Sequence, residues 1–164
     1  MRKLFSNGLA VVAGMVSIPG TPIHADSHKP ATAAEHRNES ATDRRLACIR
    51  NFFLASNCPA AALSPIFLDA ADRNALDWRL LPSISFVEST GGKAARNNNL
   101  FGWNSGRAAF SSAAACIHAV AASLAKSALY RNKDVDGILR TYNRNAGYAR
   151  RVKEIMRRIA PTAD

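Results

Sequence analysis

The chain has 164 residues, with 22 Lys and Arg against 12 Asp and Glu and a formal charge of +10. That length holds one domain with a real core and leaves no room for a second. No apolar run is long enough to span a bilayer, so an integral membrane protein is excluded, and the charge favours an anionic partner.

The N-terminus reads Met-Arg-Lys, then a largely apolar run from Leu9 to Ile18, then Pro-Gly-Thr-Pro-Ile-His-Ala. This charged, apolar and small-residue order predicts a secretory signal peptide over residues 1–25, cleaved after Ala25. A periplasmic or secreted protein is expected, with a mature charge of about +8 once Arg2 and Lys3 are gone. Outside the cytoplasm such a surface meets wall polymers, lipid headgroups or an acidic substrate more readily than nucleic acid. Residues 26–42 are polar and lack apolar period, which predicts a disordered linker. The domain proper is expected over residues 43–161.

Helical spacing predicts a first helix over about 44–55, capped by Asp43, with Leu46, Ile49, Phe53 and Leu54 inward. Asn57-Cys-Pro ends it, and a second helix follows over about 60–74 with Leu63, Ile66, Phe67 and Ala70 inward. Asp77 can cap a third helix, where Pro82 sits slightly too deep for the first turn and predicts a kink or one lost hydrogen bond. Residues 91–110 read as a loop rich in Gly, Asn, Ser and Arg, with a very short strand at Leu100-Phe-Gly. Ser111 or Ser112 caps an Ala-rich helix to about Tyr130, with Ile117, Val120, Leu124 and Leu129 inward. Asp134 caps a short helix holding Val135, Ile138 and Leu139. The stretch 132–137 resembles the front of a calcium loop, but Asn143 stands where that loop needs Glu, so it is rejected. A last helix over about 147–159 buries Val152, Ile155, Met156 and Ile159. Its basic flank of Arg150, Arg151, Lys153, Arg157 and Arg158 reads as a solvated face. Strand signals are nearly absent, so the fold is mainly α with at most a minimal β element.

Cys48, Cys58 and Cys116 allow one disulfide with one thiol left over, or three buried thiols. On a continuous helix, Cys48 and Cys58 would lie about 15 Å apart, beyond disulfide reach, unless the chain bends before Pro59. The four His show no metal-ligand spacing, and neither a metal nor another cofactor is expected.

Chemistry concentrates in the third helix and the loop after it. Leu80, Ile84 and Val87 recur at helical spacing, and Leu81, Ile84 and Glu88 share an overlapping face. Glu88 thus sits at the margin of an apolar stripe, and Gly91 and Gly92 end the helix just beyond it. Burial and the negative end of the helix dipole both oppose a charged carboxylate, so a group placed there is suited to donate a proton to a leaving oxygen.

Three segments carry a family likeness: Leu81-Pro-Ser-Ile-Ser-Phe-Val-Glu-Ser-Thr-Gly-Gly, Asn98-Asn-Leu-Phe-Gly-Trp, and Tyr142-Asn-Arg-Asn-Ala-Gly-Tyr-Ala-Arg-Arg-Val. Together they resemble the lysozyme-like superfamily, and within it the bacterial endo-β-N-acetylglucosaminidases. Soluble lytic transglycosylases share the Glu-Ser pair and a later Tyr-Asn. The resemblance implies a compact lysozyme-like helical domain that cleaves β-1,4 glycosidic bonds in peptidoglycan, with glycan strands as partner. It implies Glu88 as general acid, with Tyr142 facing it from the opposite wall. Ser89 would steady the helix end or touch the sugar, while Asn99, Phe101 and Trp103 line the groove, with Asn143 beside Tyr142. Amides suit the hydroxyl and acetamido groups of amino sugars, and aromatic faces stack on sugar rings. For Phe101 a core position is the stronger expectation.

Asn-Leu-Phe-Gly-Trp stands where lytic transglycosylases carry Gly-Leu-Met-Gln, which favours the glucosaminidase side. Two-carboxylate glycosidases need a partner about 5–10 Å from the acid, and none is evident. Either the substrate's own acetamido or hydroxyl group attacks the anomeric carbon, or Asp77 or Asp134 reaches in through the fold. The alternatives to a hydrolase are a lytic transglycosylase and a catalytically weak or inactive glycan-binding module of the same fold.

Overall fold

Ten residues, Leu80–Ser89, form the most enclosed helix of the domain, with Leu80, Leu81, Pro82, Ser83, Ile84, Ser85 and Ser89 all buried. Burying each Leu or Ile side chain stabilises by about 1.5–3 kcal/mol, so the other helices gain most by wrapping it. The computed structural model describes residues 33–161, all in one compact unit. Among them, six α-helices run in the order α1 (Ala33–Ala55), α2 (Ser64–Arg73), α3 (Leu80–Ser89), α4 (Ala113–Lys126), α5 (Val135–Tyr142) and α6 (Ala146–Ile159), with a 3-10 turn at Pro59–Leu63. Helix α3 packs most extensively on α6, α2 packs on α4, and α1 touches both α2 and α6. No described helix is long and apolar enough to cross a membrane.

Mainly α architecture is as the periodicity implied. The expected signal peptide and residues 26–32 lie outside the described residues. Helix α1 begins at Ala33, so the second part of the expected linker is helical. Nothing from Ala33 to Ala55 breaks a helix, and Ala, Glu and Arg favour one.

Pro82 neither kinks α3 nor removes a hydrogen bond. The helix starts at Leu80, so Pro82 lies in its first turn, where backbone N–H groups have no intrahelical partner. The first i to i−4 bond runs from Ser83 N to Arg79 O at 3.2 Å. Upstream, Asp77 accepts from Arg79 N at 2.9 Å and from the Arg79 guanidinium at 2.7 Å, which fixes the entry.

Two residues expected inside are outside. Leu54 is 53% exposed, and Phe52 takes the inner position instead, edge-on to Phe86 at 5.0 Å. Leu129 is 60% exposed because α4 stops at Lys126, so helical spacing no longer governs it. Ser112 caps α4 by accepting from Ala115 N, and Asp134 caps α5 by accepting from Gly137 N at 2.7 Å. All three cysteines are free thiols, Cys58 and Cys116 buried and Cys48 half-buried.

At the end of α3, Thr90 rather than a glycine takes the left-handed turn, with φ 52° and ψ 50°. A β-branched residue is strained there. Gly91 follows at φ 59°, and a Cβ on it would stand 2.8 Å from the Cys58 Cβ and 3.0 Å from the Phe53 ring. We therefore expect opposite effects at adjacent positions. Thr90→Gly should raise the unfolding free energy by about 1 kcal/mol, and Gly91→Ala should lower it by about 2 kcal/mol or more. Urea unfolding midpoints check both.

Candidate active site

Glu88 is the penultimate residue of α3 and is half-buried. It opens into a cleft of about 650 Å³ lined also by Phe101, Gly102, Trp103, Tyr130 and Tyr142, with polar groups from Asn104, Ser105 and Asn143. The volume falls in the ordinary range for small-ligand pockets.

The helix end is tied to the loop that forms one side of the cleft. Ser89 Oγ donates to Leu100 O at 2.8 Å and to Ser85 O at 3.1 Å, and it accepts from Gly92 N at 3.0 Å. One hydroxyl proton is shared between the two acceptors. Ser89 is 4% exposed and lies outside the cleft lining, with its hydroxyl committed to the helix end and the loop.

The loop itself turns on asparagines. Asn97 and Asn98 both adopt left-handed φ, which Asn tolerates better than most residues, between the bridged pair Arg96 and Asn99. That bridge replaces the strand expected at Leu100-Phe-Gly, which is turn and irregular backbone. Asn99 is the staple. Its Oδ1 accepts from Trp103 N at 2.8 Å, and its Nδ2 donates to Trp103 O at 3.0 Å and Ala108 O at 3.2 Å. With both amide protons committed and 4% exposure, Asn99 shapes the loop and does not line the cleft.

Gly102 brings the backbone against the acid. At φ 60°, a Cβ there would lie 3.0 Å from Glu88 Oε2. Phe101 is core, as its apolar surroundings favoured, and it meets the cleft at the edge of Phe67's cluster. Trp103 is half-buried in the wall, 5.9 Å from the Tyr142 ring and 6.3 Å from Tyr130. Asn143 is exposed at the rim.

The Tyr142 hydroxyl donates to the Phe101 carbonyl. Its proton is therefore spent on the loop, although its ring still lines the cleft. Among the described residues, Tyr130 and Tyr148 have hydroxyls with no protein partner, and of these Tyr148 is the one whose hydroxyl is buried, a residue the sequence did not single out. It stacks on Tyr142 with ring centres 5.8 Å apart and planes 8° apart, and it is almost fully buried. Its hydroxyl has no partner of good geometry. It nevertheless lies close enough to Glu88 for that carboxyl to act on it. Burial chiefly, then Tyr142, then the nearby Glu88 carboxyl push the Tyr148 phenol well up. Burial first, with Glu88 next, does the same to Tyr142, and burial raises Tyr130. All three phenols stay neutral, and Tyr148 is left as an O–H donor beside the acid. The available signal was the spacing that puts Tyr142 at the end of α5 and Tyr148 in the first turn of α6.

No second carboxylate lines the cleft among the described residues. Asp77 is held by Arg79 at 2.7 Å, and Asp134 is used as the cap of α5. Compared with known proteins, the chain matches no family model, no curated protein and no solved structure.

Removing the staple should be felt twice. Asn99→Ala leaves the Trp103 N–H without its acceptor and should cost about 1–3 kcal/mol of stability. Intrinsic Trp fluorescence should also change as Trp103 loosens. The tyrosines give a pH prediction with a fixed sign. Their folded-state values lie above the unfolded value, so stability is complete below about pH 10 and falls as pH rises beyond it. Absorbance at 295 nm should show the Tyr142 and Tyr148 phenolates appearing only together with loss of the helical circular-dichroism signal, well above about pH 10.

Proposed function

We propose that this protein is a glycoside hydrolase that cleaves β-1,4 bonds of peptidoglycan outside the cytoplasm, with Glu88 as general acid. The observation that carries the reading is a lone carboxyl at a helix end, half-buried in a cleft walled by Trp103 and Tyr142 and rimmed by side-chain amides. Aromatic faces and amides together suit an amino sugar better than they suit a purely apolar ligand. The resemblance of three segments to endo-β-N-acetylglucosaminidases supports the same reading, as does the leader-like N-terminus for location.

In this mechanism Glu88 donates its proton to the glycosidic oxygen as the C1–O bond breaks. The Gly102 backbone stands close against Glu88 Oε2 and limits its movement, with the buried Tyr148 hydroxyl nearby. Positive charge develops at the anomeric carbon. With no second carboxylate in the cleft lining, the substrate's acetamido oxygen is the nucleophile on that carbon. Water then opens the resulting ring, and Glu88 takes back a proton. The same lack of a partner acid favours one rival: attack by the sugar's own hydroxyl, which leaves an anhydro end.

Product analysis by mass spectrometry tests this. The mature protein should release fragments with new reducing ends at GlcNAc, and Glu88→Gln should slow release by roughly 10²–10⁴-fold with little change in melting temperature. Anhydro-muramyl ends would assign it to transglycosylation. Binding without any release by the wild-type protein would make it a glycan-binding module. Trp103→Ala should raise KM by about tenfold through lost ring stacking, with a smaller effect on kcat.

A further inference from the structure

A second groove of about 480 Å³ lies beside the cleft and shares Asn143 with it. It runs between the end of α5 and the start of α6. Its walls carry Arg140, Arg144, Arg150, Lys153 and Arg157 against a single carboxylate, Asp136. That carboxylate is taken by Lys153 at 2.8 Å, and Arg157 is held by Glu154 at 2.7 Å. Among the described residues, Arg140, Arg144 and Arg150 have no carboxylate within ion-pair distance. The Arg150 guanidinium reaches back over Gly147, in the first turn of α6, where the positive end of the helix adds to the same field.

Not every cation of α6 belongs to this groove. Arg158 lies over the Phe52 and Phe86 rings at 5.3 and 5.9 Å, on another face. A solvated basic face needs no concavity. Arg140 shares the field of Asp136 with Lys153, which leaves Arg144 and Arg150 uncompensated on the walls of one groove, and an anion between these cations relieves their repulsion. Arginine forks match carboxylates in geometry as well as charge.

We propose that this groove is a subsite for the carboxylate-bearing peptide stem of the glycan strand whose sugars occupy the cleft. The proposal rests on the glycan reading above for the ligand's backbone. The shared Asn143 wall supplies the link, because a strand lying in the cleft can place a charged substituent into the groove without leaving its sugar contacts. The groove would then select peptide-substituted strands over bare ones.

Calorimetric titration of the Glu88→Gln protein, which leaves the ligand intact, separates the outcomes. Three soluble strands are compared: one with free-acid stems, one with the same stems amidated, and one without peptides. Acid stems should bind about tenfold tighter than the other two. The double substitution Arg144→Gln and Arg150→Gln should erase that difference while leaving affinity for bare strands unchanged. Both side chains are exposed, so the fold is not at stake. Equal binding of acid and amidated stems, a uniform loss across all three strands, no effect of the double substitution, or no binding at all would overturn the subsite. The hydrolase reading is decided separately, by release of fragments from bare strands by the wild-type protein. A protein that prefers acid stems but cuts nothing would keep the subsite and lose the hydrolase.

Discussion

The site depends on one junction, the hydroxyl of Ser89 bonded to the carbonyl of Leu100. It joins the end of the most buried helix to the loop that walls the cleft. Behind it, Gly91 is pressed against Cys58 and Phe53, leaving no room for the helix end to slide. In front of it, Gly102 brings backbone against the Glu88 carboxyl. A single buried hydroxyl contributes about 1 kcal/mol in such a place, but here it also fixes geometry. The acid cannot shift relative to Trp103 and Tyr142 without breaking it.

Where a rule depends on near neighbours in the chain, it was legible. Ser112 and Asp134 cap the helices they were expected to cap, and the apolar stripe of α6 is buried as its spacing implies. Position in the third dimension was not legible. Leu54 and Phe52 are neighbours on α1, and only the placement of Phe86 decides which one is inside. Leu129 fits the α4 stripe in sequence, yet the helix ends before reaching it. The loop was harder still. Asn99 carries the functional groups of a sugar-binding amide, but Trp103 and Ala108 consume them, and that follows from a turn at Asn97 and Asn98 that no periodicity announces. Tyr148 was missed for a related reason: its role depends on which of two stacked phenols gives its proton to the backbone.

Two different surfaces meet at Asn143. On one side the lining is aromatic and amide, with a lone carboxyl; on the other it is cationic and faces α6. The end of α5 contributes Tyr142 to the first of these, and α5 and α6 together line the second. A partly exposed salt bridge from Lys153 to Asp136 spans α5 and α6 at the groove. The cleft draws Glu88 from α3 and Phe101 to Ala108 from the loop, while the groove is built wholly from residues between Asp136 and Arg157; only Asn143 belongs to both.

The three free thiols have a consequence of their own. No covalent cross-link sets the register of these helices; apolar contact sets it, with hydrogen bonds and ion pairs such as Arg45 to Asp72 between elements. Cys58 and Cys116 serve instead in packing, as small apolar side chains within the core.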